Sequence, residues 1–244
     1  MSKNIILHQY PRAGKIPNFS PFCIKVETYL RMMALDYKMV FSSPRKAPLG
    51  KLPFIEYADE IIADSSSILT RLENKSETPL DEHLNEEQRA ELLCVQRMLE
   101  EHFYWIGAYS RFCSTVGWPV WSAALKKRMP PLVGTFILAR MKANFVKQLN
   151  NQGIGRHDEA TIFKMGIADL EALNVKLQNR KWYFNNKPST LDIIIYSFLG
   201  ATLANFWACP LKNYILAQPN LLQYFQQIQK VCFPELGDVQ FNRK

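Results

Sequence analysis

The apolar positions of this chain keep one rhythm up to about residue 75 and another after about residue 86. Ile5, Ile6 and Leu7 form a short continuous apolar run, which predicts a buried strand over residues 4–9. Phe22, Val26, Tyr29, Leu30 and Met33 then recur at helical spacing. They come after Ser20-Pro21, which reads as an N-cap with proline at the first helical position. Phe19 and Ile24 are placed for a hydrophobic staple across that start. Residues 37–41 predict a second strand, and residues 42–51 a loop rich in proline and basic residues. Residues 54–57 and 61–63 predict a hairpin about Asp59-Glu60, after which Asp64 or Ser65 caps a helix running to about Asn74. This β-α-β, then β-β-α order predicts one small mixed-sheet domain over residues 1–75.

Residues 76–85 (SETPLDEHLN) are polar, contain proline and read as a linker. Everything from 86 to 244 is helical in pattern. A long helix is predicted over about 86–110, and a second helical region over about 118–150, interrupted near Pro130-Pro131. Ile162, Met165, Leu170, Leu173 and Leu177 form a helical stripe within 158–178. Ser189 and Asp192 form an S-x-x-D capping box at the start of the most apolar helix. The fold class read from the chain is therefore α+β in the first part and all-α in the second.

Composition narrows the function classes. The apolar run over 193–209 includes Tyr196, Ser197, Thr202 and Asn205 and is shorter than a bilayer span, so a buried helix is expected there and no transmembrane segment. The start leads directly into a strand-like run, so no signal peptide is expected. Five scattered cysteines (Cys23, Cys94, Cys113, Cys209, Cys232) suit a reducing compartment, and a cytoplasmic location is expected. The four histidines lie far apart, without metal-ligand spacing. No phosphate-binding glycine loop is present. The formal net charge is +8, and residues 102–157 hold no Asp or Glu at all. That stretch interleaves basic residues with Tyr104, Trp105, Tyr109, Trp118 and Trp121, so it suits an anionic ligand or simply the solvated faces of helices. No recognised nucleic-acid-binding motif accompanies the charge, and no nucleic acid partner is expected.

Three segments carry the chemistry: Ser20-Pro21-Phe22-Cys23, Lys51-Leu52-Pro53-Phe54 and Ala63-Asp64-Ser65-Ser66. With KLPFIE, IIADSSSIL and the C-terminal KPSTLDIIIYSFLG, the chain resembles the glutathione transferase superfamily. The resemblance covers nearly all of it and is best to the branch of the failed-axon-connections proteins and the metaxins. It implies a thioredoxin-like glutathione-binding domain, an all-helical C-terminal domain and a homodimer. Pro53 matches the family's cis-proline, and Leu52 would pair through its main chain with the cysteinyl part of glutathione, strand fashion. Asp64-Ser65 stands where the family has Glu/Gln-Ser, so Ser65 and its helix N-terminus would hold the γ-glutamyl carboxylate. Among Lys51, Lys46, Lys15 and Arg12, Lys51 is the choice for the glycyl carboxylate. Tyr104, Tyr109 and Trp118 would line a pocket for a small hydrophobic substrate.

The catalytic position in the family favours the glutathione thiolate. A thiol of pKa about 8.5 needs roughly 2.7 kcal/mol to fall by two units. One charge-assisted hydrogen bond supplies about 1.5–3 kcal/mol. Ser20 is the first choice for that donor and Tyr10 the second. Cys23 gives S-x-x-C, the reverse of a glutaredoxin-like site. It either sits at the helix N-terminus with a lowered pKa or packs inward. Two functions stay open: glutathione as co-substrate of transfer to a hydrophobic electrophile, an anionic one being favoured by the basic stretch, or a non-catalytic binding or scaffold protein on the same fold.

Overall fold

The structure is a computed structural model, and it describes residues 5–178, 180–184, 187–237 and 239. Four strands form one sheet in the order β2-β1-β3-β4: β1 (Ile5–Gln9), β2 (Tyr37–Phe41), β3 (Phe54–Tyr57) and β4 (Glu60–Ala63). β1 runs parallel to β2 and antiparallel to β3, with Leu7 opposite both Met39 and Ile55. Parallel neighbours need a crossover, and α1 (Pro21–Met32) supplies it. The β3–β4 turn falls at Ala58-Asp59, one residue earlier than the sequence suggests. Both residues have positive φ (53° and 64°), as a tight two-residue hairpin turn requires.

α2 (Ser65–Glu73) closes the sheet unit, and Asp64 rather than Ser65 is its N-cap. The rest is helical: α3 (Glu86–Arg97), α4 (Tyr104–Phe112), α5 (Gly117–Lys126), α6 (Pro131–Gln152), α7 (Glu159–Leu177), α8 (Thr190–Leu203), α9 (Pro210–Ala217) and α10 (Pro219–Cys232). The helix expected over 86–110 is not uniform. Met98–Phe103 is π-helical, so α3 and α4 are joined by a stretch carrying an extra residue per turn. Side-chain periodicity hides this, because the change lies in the backbone hydrogen bonds.

Every residue of α8 is buried. It packs chiefly on α1 and also meets α3, α9 and α10. Gly200 permits the approach, since a Cβ there would stand 3.2 Å from the Phe225 ring and 3.5 Å from Ile24. The two cores interlock through these helices. Ile193 of α8 joins Leu7, Val26, Leu30 and Ile55 beneath the sheet, while Ile16 and Ile24 join the helical core.

Residues 76–85 are less free than a linker reads. Asp81 accepts hydrogen bonds from Thr190 N–H (2.8 Å) and Thr190 Oγ1 (2.5 Å) at the head of α8. Glu73 accepts from the backbone N–H groups of Leu80 and Asp81.

Candidate functional site

The site begins where β1 ends. Buried Asn18 spans the loop: its Nδ2 donates to the Tyr10 carbonyl (2.8 Å) and its Oδ1 accepts from Ser20 N–H (3.0 Å). Tyr10 and the start of α1 are thereby held together, a role the sequence did not reveal. Ser20 is the N-cap of α1, with extended backbone, and its Oγ accepts from Cys23 N–H at 3.4 Å. Pro21 at the first helical position needs no partner for a missing N–H. Phe19 turns its ring to Trp121 (4.9 Å) and Phe206 (6.1 Å).

Cys23 packs inward, with no exposed surface. Burial pushes its thiol up to about 12, against lowering contacts from Tyr10 and Ser20. The thiolate is not formed at neutral pH, so the helix N-terminus does not activate this residue. Tyr10 is 36% exposed, and partial burial, then Cys23 and Tyr104, push its phenol up to about 12. It stays a neutral hydroxyl. With iodoacetamide near pH 7.5, exposed Cys94 is expected to be alkylated and Cys23 to stay unmodified in the native protein, as peptide mass mapping would report. Rapid labelling of Cys23 would show that its burial is wrong.

The second segment lies beside the first. The Leu52–Pro53 peptide is cis and leads into central strand β3; Leu52 and Pro53 are buried and Lys51 is exposed. In the third, Asp64 has φ +72° and ψ +126°, a strained conformation for a non-glycine residue. Its Oδ1 accepts from Ser66 and Ser67 N–H at 3.0 Å each, and buried Ser65 opens the helix. The Asp64 carboxylate is therefore engaged as a cap.

Beneath this helix N-terminus lies a charge pair that the sequence pattern does not disclose. The Lys25 Nζ donates to Glu100 Oε1 (2.6 Å) and Ser66 Oγ (2.9 Å), and Gln96 Nε2 donates to Glu100 Oε2 (2.9 Å). The side chains of Lys25 and Glu100 are only 1% and 5% exposed. Burial lowers the Lys25 pKa from its ordinary value, partly offset by Glu100. A second pair explains Arg12. Its Nη1 donates to fully buried Glu27 at 2.6 Å, so Arg12 is tied into the structure.

The three aromatics predicted for one pocket are not together. Tyr104 packs on Phe22 (ring centroids 5.1 Å) beside the start of α1. Tyr109 donates to Glu159 of α7 at 3.2 Å and packs on Phe163. Trp118 lines a cavity of about 470 Å³ between α5 and α6, with Lys126, Leu138 and Lys142. The aromatics near Ser20 that sequence reasoning missed are Phe19, Trp121 and Phe206. With them is Arg111 of α4, whose Nη1 donates to the Phe19 carbonyl at 2.9 Å. Arg111 and Phe19 alone are 92 residues apart, so no local signal links the group. Among the described residues no group of three or more His, Cys, Asp or Glu is placed to hold a metal, and no helix is long and apolar enough to cross a membrane.

Two helix N-termini and a cis-proline strand opening thus lie on one side of a small mixed sheet. Such a surface can hold an extended peptide by its main chain and anions by helix N–H groups. Residues 21–116 match the family model of the glutathione S-transferase N-terminal domain, and residues 166–228 that of the C-terminal domain. Failed axon connections of Drosophila melanogaster is 34% identical over 96% of this chain and 59% of its own length. The chain thus spans less than two thirds of that relative. Isoprene-epoxide–glutathione S-transferase of Rhodococcus sp. strain AD45 is 29% identical over 93% of this chain and 98% of its own. Metaxin-1 of Mus musculus is 26% identical over 91% of this chain and 73% of its own. Among solved structures, a glutathione S-transferase from Methylobacterium radiotolerans in complex with glutathione sulfonate superposes with TM-score 0.61 at 17% identity, covering 99% of this chain and 98% of its own. That likeness shows the fold: a thioredoxin-like domain followed by an all-helical one.

Proposed function

Because the chain belongs to the glutathione S-transferase superfamily, in a branch with Failed axon connections and the metaxins, we propose that it binds glutathione and transfers its thiolate to a hydrophobic electrophile. The observation that carries this reading is Leu52 at the head of β3, packed with Cys23 of α1, together with the N-terminus of α2 at Ser65. Leu52 pairs with the cysteinyl backbone, and the first turn of α2 receives the γ-glutamyl carboxylate. Lys51, exposed at the loop end, meets the glycyl carboxylate. Ser20, whose oxygen already accepts from Cys23 N–H, keeps its own proton to donate to the glutathione sulfur. Tyr10, a neutral phenol, is the alternative donor. The reading carries with it a cytoplasmic homodimer.

A non-catalytic binding or scaffold role is the second reading. It is favoured by the capping of α2 by the Asp64 carboxylate, which leaves that group less able to meet the ligand amine.

Titration of glutathione by calorimetry, with Ser65→Ala and Ser20→Ala alongside, tests the proposal. Ser65→Ala is expected to weaken binding by about ten- to a hundredfold, the worth of one charge-assisted hydrogen bond of roughly 1.5–3 kcal/mol. Ser20→Ala is expected to keep binding but raise the pKa of the bound thiol, read from thiolate ultraviolet absorbance. A folded parent that ignores millimolar glutathione overturns the transferase reading and leaves the scaffold.

A further inference from the structure

Among the described residues, Arg111 is a cation with no carboxylate partner. Arg111 lies in the last turn of α4. Its Nη1 donates to the Phe19 carbonyl (2.9 Å), and its Nη2 points at the Ala201 carbonyl (3.5 Å) and Asn205 Oδ1 (3.3 Å). All three acceptors are neutral. The guanidinium also stands over the rings of Trp121 (5.2 Å) and Phe19 (5.5 Å). The stretch from 102 to 157, which contains both Arg111 and Trp121, offers no carboxylate at all. Desolvation holds the Arg111 pKa down at about 10, so the charge is carried at a cost.

Among the described residues, two buried donors at this place find no acceptor, Arg111 Nε of the cation itself and Trp121 Nε1 beside it. Buried donors are nearly always paired, and a buried charge is normally met by an opposite one. Each of the two is an unmet donor that an anionic oxygen would satisfy. The walls are flat and apolar. Phe206 stands 5.8 Å from Trp121 and 6.1 Å from Phe19, and Tyr104 is close enough to Arg111 to feel its charge. Phe19 is the residue before Ser20, so this place adjoins the proposed thiolate donor.

We propose that Arg111 and Trp121 bind a carboxylate on an aromatic acceptor substrate and so select anionic aromatic electrophiles. The inference rests on the transferase reading for the chemistry after binding: the glutathione thiolate adds to the ring carbon bearing a halide, a carbon–sulfur bond forms, and chloride leaves with the bonding pair. The proton lost by the thiol goes to solvent. The guanidinium takes no part in these bond changes. It orients the ring by its far end, through the unmet Nε–H and its charge.

The test uses 4-chloro-3-nitrobenzoate and its neutral isostere 4-chloro-3-nitrobenzamide. Binding is measured first without glutathione, by quenching of tryptophan fluorescence, on the parent, Arg111→Lys, Arg111→Met and Trp121→Phe. The parent is expected to prefer the benzoate by roughly ten- to a hundredfold, the worth of a hydrogen bond to a charged group. Arg111→Met is expected to lose that preference, Arg111→Lys to keep part of it, and Trp121→Phe to reduce it a few-fold. If Arg111→Met does not fold, Arg111→Lys and Trp121→Phe still decide, because neither removes the cation that holds Phe19. Equal affinity for the two ligands in the parent overturns the inference, as does a preference unchanged in the variants. Conjugation rates with glutathione are then compared for the same pair. A parent that discriminates the ligands but does not bind glutathione sustains the carboxylate site and sinks the transferase reading alone.

Discussion

Asp192→Ala is expected to lower the unfolding free energy by about 4–5 kcal/mol, a large share of the roughly 5–15 kcal/mol that holds an ordinary domain together. Asp192 has no exposed surface. Its Oδ1 accepts from Tyr183 N–H (2.7 Å) and from the Tyr224 hydroxyl, and its Oδ2 accepts from Ser189 N–H and Ser189 Oγ, both at 2.7 Å. Alanine strands these donors in the most buried part of the molecule. Each orphan costs about 1–3 kcal/mol, and water has little room to replace the carboxylate. The helix that loses its cap is α8, on which α1 and α10 pack, so the damage spreads to both cores. Denaturant unfolding followed by circular dichroism would report a lower midpoint with an unchanged slope. A loss under about 1 kcal/mol would mean that the four bonds do not exist together.

Glu100→Ala comes next, at an expected cost of about 3–5 kcal/mol, because it leaves the Lys25 ammonium buried without its carboxylate. The sign with pH identifies the cause. Burial already sets the folded pKa of Lys25 below its ordinary value, and removing Glu100 takes away the contact that raises it. Asp64 also raises it and Arg97 lowers it, while Ser66 is a neutral partner. Between the lowered folded value and the unfolded value of about 10.4 the unfolded chain binds more protons, so stability rises with pH across that window. The variant is therefore expected to regain part of its loss on going alkaline, where the parent changes less. The double variant Lys25→Met with Glu100→Leu is expected to lie within about 1–2 kcal/mol of the parent, since an apolar pair of similar volume replaces a buried ion pair at little cost. A pH-independent loss in Glu100→Ala would assign the damage to packing alone.

Much of the architecture was legible because it rests on local rules. Ser20-Pro21 announces the start of α1, and Ser189 with Asp192 announces α8, because a cap must lie within three residues of what it caps. The composition of α8, the most apolar helix in the chain, told of burial on every side. The charged interior was not legible. Lys25 and Glu27 look like the polar face of an amphipathic α1, yet both are buried, because the helix is held between the sheet and α8. Their partners are 75 and 15 residues away, and no spacing rule links them. The same holds for the aromatic cluster. Tyr104, Tyr109 and Trp118 fall on one stretch of sequence, but Tyr104 and Tyr109 stand about 140° apart round α4 and Trp118 lies on α5, while Trp121 of α5 and Phe206 of the loop after α8 converge from distant parts of the chain.

The segment between the sheet unit and the helices has a consequence for how the molecule comes apart. Asp81 is the partner of the first residue of α8, and the acid at the end of α2 holds the two residues before and at that point. A connector tied at Leu80-Asp81 to both halves in this way is a strap and not a hinge. Neither half has a closed core of its own, since Ile193 fills one and Ile24 the other. The halves share one fate on heating: neither would survive as a molten companion to a folded neighbour, and the chain has no structural basis for opening like a book about residues 76–85.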